Sequence, residues 1–453
     1  MISLKVRESR SVLSEMLNWK EEQGRGRCCM LASAAISRII ADLITGSLYT
    51  AFLTAATFSV VEIGMFATLR FLSSCFSFFA PVFLERYQKR KWILAALRFA
   101  YYLLCLPVLT WIPGAIADRR LMLFMFGAVI FLSGIINNLF LSGYAVWHIR
   151  FLPDCIRARY FSSEQILSVF ISCFALLPLS ALADRLGTAT DRMHILAAIR
   201  IIGFLIGILD IALLILPQEY PYPRRAAVCF KNIVRIPLKC RSFLLTVLLV
   251  AIWDFSNELS RSAWSYHLLN TVGAGITLLN TASVLYAAAL ILLSPFWRKI
   301  LKRLSWFRTF SVAALIHIPS YLLCIFVNSR NFHWLYTLVM VIQSVDGVAL
   351  NLTFMDFKYI NTPPEDQTYF ISFFALAESL AAFLGQAAGT LFLNEAADWH
   401  TVLFGMQILP VHILLLVQSL LFFACVILIH FCINELTSGP NWNRVDELNG
   451  GLK

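Results

Sequence analysis

Long apolar runs alternate with short charged or turn-forming segments along most of the chain. A helix needs about 20 predominantly apolar residues to cross the hydrocarbon core of a bilayer, where every backbone polar group must be hydrogen-bonded internally. Twelve runs meet this requirement and predict membrane-spanning helices, numbered here as spans 1 to 12, at 30–54, 59–83, 92–113, 121–149, 160–183, 194–217, 243–269, 272–297, 307–328, 332–357, 369–393 and 402–433. The weakest separation lies between spans 1 and 2, because Ala55-Ala56-Thr57 is a poor turn signal.

The composition predicts the same class of protein. Of the 453 residues, 59% are hydrophobic, 14% are aromatic and 14% are charged. A water-soluble domain has about 45–50% apolar and about 25% charged residues. A chain this apolar cannot cover a water-soluble fold with polar surface, and it has too few charges for a disordered or fibrous protein. The composition therefore predicts an integral membrane protein whose main partner is the lipid bilayer.

The positive charges predict an orientation. Lys and Arg number 37 against 26 Asp and Glu, which gives a net charge of +11. If both termini lie in the cytoplasm, 27 Lys and Arg residues fall in loops or tails on that side and five on the opposite side. This bias matches the positive-inside rule. The excess of positive charge thus predicts a multi-pass protein of the cytoplasmic membrane with both termini inside, and no nucleic-acid partner is expected.

Three polar segments divide the chain. We predict a cytoplasmic N-terminal tail at 1–27, a central cytoplasmic loop at 218–241 and a cytoplasmic C-terminal tail at 434–453. They flank two predicted six-helix bundles at 28–217 and 242–433. The first segment has no apolar core of the kind found in a removable signal peptide.

Two loop sequences recur at nearly the same offset in the two halves. Residues 81–92 after span 2 and 295–306 after span 8 both run from proline through a basic turn to tryptophan, 214 residues apart. The loops that begin at Pro153 and Pro363, after spans 4 and 10, share an acidic residue and a Tyr-Phe pair about 209 residues apart. Two repeated sequence patterns in corresponding loops predict a duplicated six-helix unit.

The basic loop after span 2 carries a family signature. In the major facilitator superfamily this loop reads G-x-x-x-D-R-x-G-R-[RK]. Here the acid is kept at Glu85 and positive charges are kept at Arg86, Lys89 and Arg90, while both glycines are absent. With its two halves and long central loop, the chain resembles this superfamily over about residues 28–433, and no subfamily is recognised.

The resemblance implies an all-α polytopic membrane protein with twelve transmembrane helices in two pseudo-symmetric six-helix bundles. It also implies a translocation path between the halves, lined mainly by spans 1, 4, 7 and 10, and alternating access around a site near the membrane midplane. The four charged loop residues would then form a gating loop.

Charged side chains at bilayer depth are the first candidates for function, because each costs about 2.5–3.5 kcal/mol on insertion scales. Span 1 places Arg38 and Asp42 one turn apart on one face. They are either a self-neutralising pair that permits insertion or part of a translocation site. The proposed repeat aligns Asp42 with Glu258 of span 7 to within a residue.

Span 7 carries a polar stripe of two acids, one base and an amide. Asp254 lies one turn before Glu258, Arg261 follows one turn later, and Asn257 lies beside them. Pairing within the stripe leaves one carboxylate over, and a carboxylate that alternates between protonated and ionised forms suits proton-coupled transport or a cationic solute. Structural ion pairing is the competing interpretation.

Further polar groups lie on spans 4 and 10. Asn138 and Asp346 are candidates for contact with a solute, whereas interhelical bonding worth about 0.6 kcal/mol per contact is the commoner use of such side chains. In span 6, Gly203 and Gly207 form a GxxxG-like pair that predicts close helix contact.

Two isolated charges suggest a bridge between the halves. Arg70 lies midway in span 2 and Glu378 midway in span 11, and these helices face each other across the halves in the resembled fold. We predict an inter-bundle pair that stabilises one access state; alternatively, each side chain bonds to neighbours in its own half.

No enzymatic motif, nucleotide-binding loop or Cys/His metal pattern occurs in the sequence, so no catalytic residue, cofactor or metal site is expected. The function predicted is secondary active transport of a small solute, coupled or not to protons, by a monomer. The alternative is a non-transporting scaffold, receptor or lipid-handling protein on the same fold.

Overall fold

The computed structural model describes residues 21–79, 84, 87, 89–149, 154–185, 189–219, 230–363, 367–397, 399–403 and 406–438. Within this part, twelve helices are long and apolar enough to cross a membrane, which confirms the number of predicted spans. The helices are Glu22–Thr45 and Ser47–Ala55 in span 1, Val60–Ser74 in span 2, Lys91–Leu103 and Leu109–Ala115 in span 3, Arg119–Ile149 in span 4, Asp154–Asp184 in span 5, Ala189–Ile215 in span 6, Arg241–His267 in span 7, Ile276–Leu304 in span 8, Trp306–Cys324 in span 9, Phe332–Phe357 in span 10, Gln367–Glu395 in span 11 and Pro410–Leu436 in span 12.

Short elements complete the described chain. A short helix at Phe230–Arg235 precedes span 7, and 3-10 turns lie at Cys75–Phe79 and Pro237–Lys239. Single π turns interrupt span 3 at Leu104–Val108 and end span 7 at Leu268–Val272. The turn in span 3 contains Pro107, which has no N–H to continue the helical hydrogen-bond ladder.

Spans 1 and 2 are separated by a turn and a strong helix start. Thr57 has a left-handed backbone with φ of 64°. Ser59 then accepts a hydrogen bond from the Glu62 N–H at 3.2 Å, and Glu62 accepts one from the Ser59 N–H at 2.8 Å. This reciprocal capping box satisfies two backbone donors that the first turn of the helix leaves free. The weak turn sequence is therefore compensated by a Ser-x-x-Glu start signal.

The last predicted span, 402–433, begins too early. Thr401–Leu403 and Met406–Ile408 are antiparallel strands β1 and β2 of a two-stranded sheet in which Thr401 faces Ile408. The helix begins only at Pro410. Proline fits the first turn of a helix because its missing N–H has no intrahelical acceptor there, whereas an earlier start would place it in the interior.

The chain forms two compact units. The first comprises the described parts of Met1–Ala56 and Phe76–Ala227, and the second those of Thr57–Cys75 and Val228–Lys453. By its contacts, span 2 thus belongs with spans 7 to 12. It packs on span 11, where a Cβ on Gly64 would lie 2.4 Å from the Thr390 hydroxyl.

Each unit has its own apolar interior and an apolar outer surface. Met30, Leu94 and Trp147 are buried together in the first unit, and Trp253, Phe310 and Phe422 in the second. Large apolar side chains are also widely exposed on several spans, among them Phe124, Leu292 and Phe431. Exposed apolar surface of this extent suits hydrocarbon rather than water. The protein is a multi-pass membrane protein.

Candidate functional site

In the second unit, span 7 presents an ion pair with one buried and one exposed partner. An Arg261 Nη1 donates to Glu258 Oε1 at 2.5 Å, one helical turn apart. The Glu258 side chain is 8% exposed, whereas that of Arg261 is 70% exposed. The predicted polar stripe therefore forms, and its base pairs with the second of its two acids.

Asp254 is the carboxylate that the pairing leaves over. It makes no hydrogen bond or ion pair with any side chain in the part of the chain that the structure describes. Its electrostatic neighbours are Glu378 on span 11, and Glu258 and Arg261 on its own helix. Asn257 is half-buried beside them. Three carboxylates and one guanidinium thus act on one another at bilayer depth, and protonation of one carboxylate would relieve their mutual repulsion.

Two glycines bring span 11 into backbone contact with span 7. A Cβ on Gly385 would lie 2.2 Å from the carbonyl oxygen of Phe255, and a Cβ on Gly389 would lie 1.9 Å from that of Leu259. Small residues four apart permit this kind of close helix contact in membranes. Glu378 precedes Gly385 by two helical turns and so shares the face of span 11 that packs on span 7.

A short polar ladder continues from this contact. Ser262 donates to Gln386 Oε1 at 3.0 Å, and Gln386 Nε2 donates to the Thr390 hydroxyl at 3.1 Å. Gln386 and Thr390 are buried. The ladder fixes the register of spans 7 and 11 beside the charged group.

Asp346 lies in a different environment from the charges of span 7. It is fully buried in the second unit, and its Oδ2 lies 2.5 Å from Nδ1 of His317 on span 9. The His317 ring is in contact with Trp253 and Phe422. The pair joins spans 9 and 10 inside the apolar interior of the unit.

In the first unit, the predicted Arg38 and Asp42 pair is present. Arg38 Nε lies 3.7 Å from Asp42 Oδ2, which also accepts a hydrogen bond from Ser172 of span 5 at 2.6 Å. Span 1 breaks one turn later at Gly46, where a Cβ would lie 2.5 Å from the carbonyl oxygen of Asp42. Asn138 donates to the carbonyl oxygen of Gly134, one turn back on span 4, at 2.8 Å.

A buried charged cluster in this unit was not predicted from the sequence. Asp210 of span 6 accepts hydrogen bonds from Ser33 at 2.5 Å and from Tyr102 at 2.6 Å, and Nε of Arg98 donates to it at 3.2 Å. The Arg98 guanidinium also lies over the ring of Phe140, 4.5 Å from its centroid. Spans 1, 3, 4 and 6 thus meet at one ion pair. The sequence indicates this cluster only through the charged residues that lie within apolar runs.

Arg200 of span 6 was missed as well. Its guanidinium donates to the carbonyl oxygens of Leu43 at 2.9 Å and Cys105 at 2.5 Å, and to the Thr110 hydroxyl at 2.8 Å. Leu43 lies just before the break in span 1, and Cys105 lies in the π turn of span 3. Arg200 therefore supplies donors to buried carbonyls at both irregular points.

The basic loop is described only in part, and Glu85 and Arg86 lie outside the described residues. Lys89 is exposed and Arg90 is buried. The Glu219 carboxylate accepts hydrogen bonds from the backbone N–H groups of Arg90 and of Lys91, the latter at 2.9 Å. A carboxylate at a helix N-terminus satisfies free donors there and suits the helix dipole. Glu219, four residues after the helix of span 6 ends, thus anchors the end of this loop.

No ion pair joins Arg70 to Glu378 among the described residues. Spans 2 and 11 pack on each other, yet Glu378 makes no ion pair within the described residues. The predicted bridge stays a proposal. Among the side chains that the structure describes, no group of three or more His, Cys, Asp or Glu residues could hold a metal ion.

No protein-family model and no curated protein sequence matches the chain. Solved structures do match. The nucleoside transporter NupG aligns with a TM-score of 0.63, covering 89% of this chain and 98% of that one at 12% identity. A POT family transporter in complex with a thioalcohol-conjugated peptide gives a TM-score of 0.64 over 92% of this chain and 98% of that one, at 12% identity. A bacterial homologue of the iron transporter ferroportin, in its inward-facing state, gives 0.62 over 89% and 98%, also at 12% identity.

Identities this low establish the fold alone. The chain has the twelve-helix fold of major facilitator-type transporters, which confirms the resemblance drawn from its loops and its two halves at the level of the fold. The subfamily is not resolved.

Proposed function

We propose that the protein is a secondary active transporter that moves a small solute across the cytoplasmic membrane by alternating access. The observation that carries the proposal is the charged group on span 7: a buried Glu258, an exposed Arg261 and an Asp254 without a direct partner among the described residues. Charges are retained at bilayer depth when they serve a solute or ion pathway. Solved proteins of this fold include a nucleoside transporter and a transporter in complex with a conjugated peptide, which supports the same proposal.

We also propose that transport is coupled to protons and that Asp254 is one of the carboxylates that take up a proton. A carboxylate near Glu378 and Glu258 is repelled by both when all three are ionised, so a proton there lowers the electrostatic energy of the group. Arg38 and Asp42 of span 1 belong to the same proposal, since the Asp42 side chain is still 26% exposed although it bonds to Ser172.

The test is solute-driven proton movement in proteoliposomes that contain the purified full chain and an internal pH dye. Solutes are added in pools by chemical class. We expect one pool to acidify the lumen in wild type and Glu395→Gln, a control at an exposed acid at the end of span 11. Asp254→Asn should weaken the proton signal, because its amide cannot exchange a proton. Proton movement that is unchanged in Asp254→Asn would remove this residue from the coupling.

The alternative is a non-transporting scaffold, receptor or lipid-handling protein, which the altered basic loop favours. The assay separates the two, because a scaffold produces no solute-dependent flux in any pool. The transporter proposal includes the two predicted bundles at 28–217 and 242–433, in which span 2 counts with the first bundle although its contacts group it with the second unit. It also takes a monomer as the working unit.

The proposed orientation has a separate test. We expect a fluorescent protein fused after Lys453 to fluoresce, since both termini are proposed to be cytoplasmic, and alkaline phosphatase fused there to be inactive. Phosphatase inserted in the β1–β2 hairpin should be active, because one span separates it from the C-terminus. Active phosphatase after Lys453 would reverse the proposed topology.

A further inference from the structure

Most N–H groups of the Arg261 guanidinium have no hydrogen-bond acceptor among the described residues. It has five N–H groups in a rigid planar fork, and one of them bonds to Glu258. Within the part of the chain that the structure describes, this is its only hydrogen bond. Its side chain is 70% exposed although it lies well inside span 7, which extends from Arg241 to Val272.

A guanidinium in this position must face water. Exposure of a charge to hydrocarbon at the centre of a helix costs about 2.5–3.5 kcal/mol on insertion scales, so such groups line aqueous paths. A water-facing fork of donors matches the two oxygens of a carboxylate or phosphate group, which it binds through parallel charge-assisted hydrogen bonds. The acids nearby are less accessible than the base, since Glu258 is 8% exposed and Asp254 and Glu378 are half-buried. A solute that reaches this face therefore meets the positive group first.

We propose that Arg261 binds the anionic group of the solute, a carboxylate or a phosphate, and that Glu258 is the group which the anion displaces. This inference rests on the proposed function and names its substrate class. When Glu258 is ionised, it neutralises Arg261 and competes with the solute. When a proton binds to Glu258, its hold on the guanidinium weakens and the anion replaces it. With a monocarboxylate, one proton and one negative charge enter together, so the charge of the site is unchanged.

Other titratable groups act on the same pair. Asp254 lies on the same helix, Glu378 acts from span 11 through Asp254, and the Tyr321 phenol of span 9 is an electrostatic neighbour of both Arg261 and Glu258. A second negative charge at Asp254 opposes the binding of an anion. Protonation of Asp254 therefore favours anion binding as well, in the same direction as protonation of Glu258.

Ligand binding tests the proposal without any need for flux. The full chain in detergent is heated with aliphatic monocarboxylates, phosphate monoesters, their neutral amide or alcohol counterparts, or amines, all at one ionic strength. Binding to the native state raises the unfolding temperature. We expect one anionic class to stabilise wild type, and the carboxylate and phosphate arms show which group is recognised. Neutral and amine counterparts should have no effect.

Variants assign the effect to the pair. Arg261→Gln should lose the shift, and Arg261→Lys should retain part of it because lysine keeps the charge but not the fork. Arg241→Gln is the matched control on the same span, since Arg241 is 81% exposed and pairs with Glu435. In wild type, monocarboxylate affinity should fall by about tenfold per pH unit for each proton that binds together with the anion. Glu258→Gln should bind with a weaker pH dependence than wild type, since only Asp254 then contributes to it.

Chemical labelling keeps the proposal testable if a variant does not fold. Phenylglyoxal should modify Arg261 in wild type, and the stabilising anion should protect it, as peptide mass spectrometry would report. The proposal is overturned if anions stabilise Arg261→Gln as well as wild type, if amines alone stabilise the protein, or if no anion shifts or protects it. Binding without flux would instead refute transport alone, and flux of a neutral or cationic solute would refute the anion site alone.

Discussion

Gly389→Ala should be among the most destabilising single methyl additions in this protein. The new Cβ would lie 1.9 Å from the carbonyl oxygen of Leu259. A backbone atom of a packed helix cannot rotate aside as a side chain can, so spans 7 and 11 must separate along their contact. Overpacking of this kind typically costs about 1–3 kcal/mol, and the separation would also disturb Glu258, the residue before Leu259. We expect a large fall in the unfolding temperature in detergent and loss of solute binding.

The matched control is Gly347→Ala in span 10. Its new Cβ would lie 3.4 Å from the ring of Tyr286, which is close to ordinary contact, so a small change is expected. Gly385→Ala should resemble Gly389→Ala, because its Cβ would lie 2.2 Å from the carbonyl oxygen of Phe255. If the unfolding temperature of Gly389→Ala is close to that of Gly347→Ala rather than to that of Gly385→Ala, the backbone contact between spans 7 and 11 is absent.

The glycine pattern shows what the sequence can and cannot reveal about packing. The predicted pair Gly203 and Gly207 does lie at a close contact, where added Cβ atoms would meet side chains of Leu43 and Tyr102. Gly385 and Gly389 have the same spacing and make the closer, backbone contact, yet they were not singled out. Spacing marks a surface on which another helix can approach. Which helix approaches it, and how closely, depends on how the helices rotate and pack.

The charged residues within the predicted spans identify more of the buried sites than were predicted. After 27 cytoplasmic and five opposite Lys and Arg residues are set aside, five of the 37 remain within spans: Arg38, Arg70, Arg98, Arg200 and Arg261. Arg38, Arg70 and Arg261 were among the predicted site residues. Arg98 and Arg200 were identifiable by the same subtraction. Their partners were not, because Asp210 and the carbonyls of Leu43 and Cys105 lie on other spans.

Local signals were more reliable where one residue determines the backbone. The start of span 12 could have been placed at Pro410, since proline belongs in the first turn of a helix. The pairing of Glu258 with Arg261 followed from their one-turn spacing, as did that of Arg38 with Asp42. The 70% exposure of Arg261 did not follow from sequence, because spacing along one helix does not tell which face its neighbours leave open.

Arg98→Met should destabilise the protein strongly, and a second substitution should restore part of the loss. Arg98 and Asp210 are buried at 3.2 Å from each other. Removal of one partner leaves a buried charge without compensation, which typically costs about 3–5 kcal/mol, whereas replacement of both by apolar residues of similar size is often neutral. Ser33 and Tyr102 would still donate to Asp210 in the single variant and would soften the loss.

The double variant Arg98→Met/Asp210→Leu is therefore expected to unfold at a higher temperature than Arg98→Met, although Ser33 and Tyr102 lose their shared acceptor. Arg241→Met is the control for loss of an arginine from an exposed pair, worth about 0–1 kcal/mol. Equal unfolding temperatures for Arg98→Met and Arg241→Met would mean that water reaches the Asp210 cluster. A double variant less stable than Arg98→Met would mean that the hydrogen bonds to Asp210, rather than the charges, hold spans 1, 3 and 6 together.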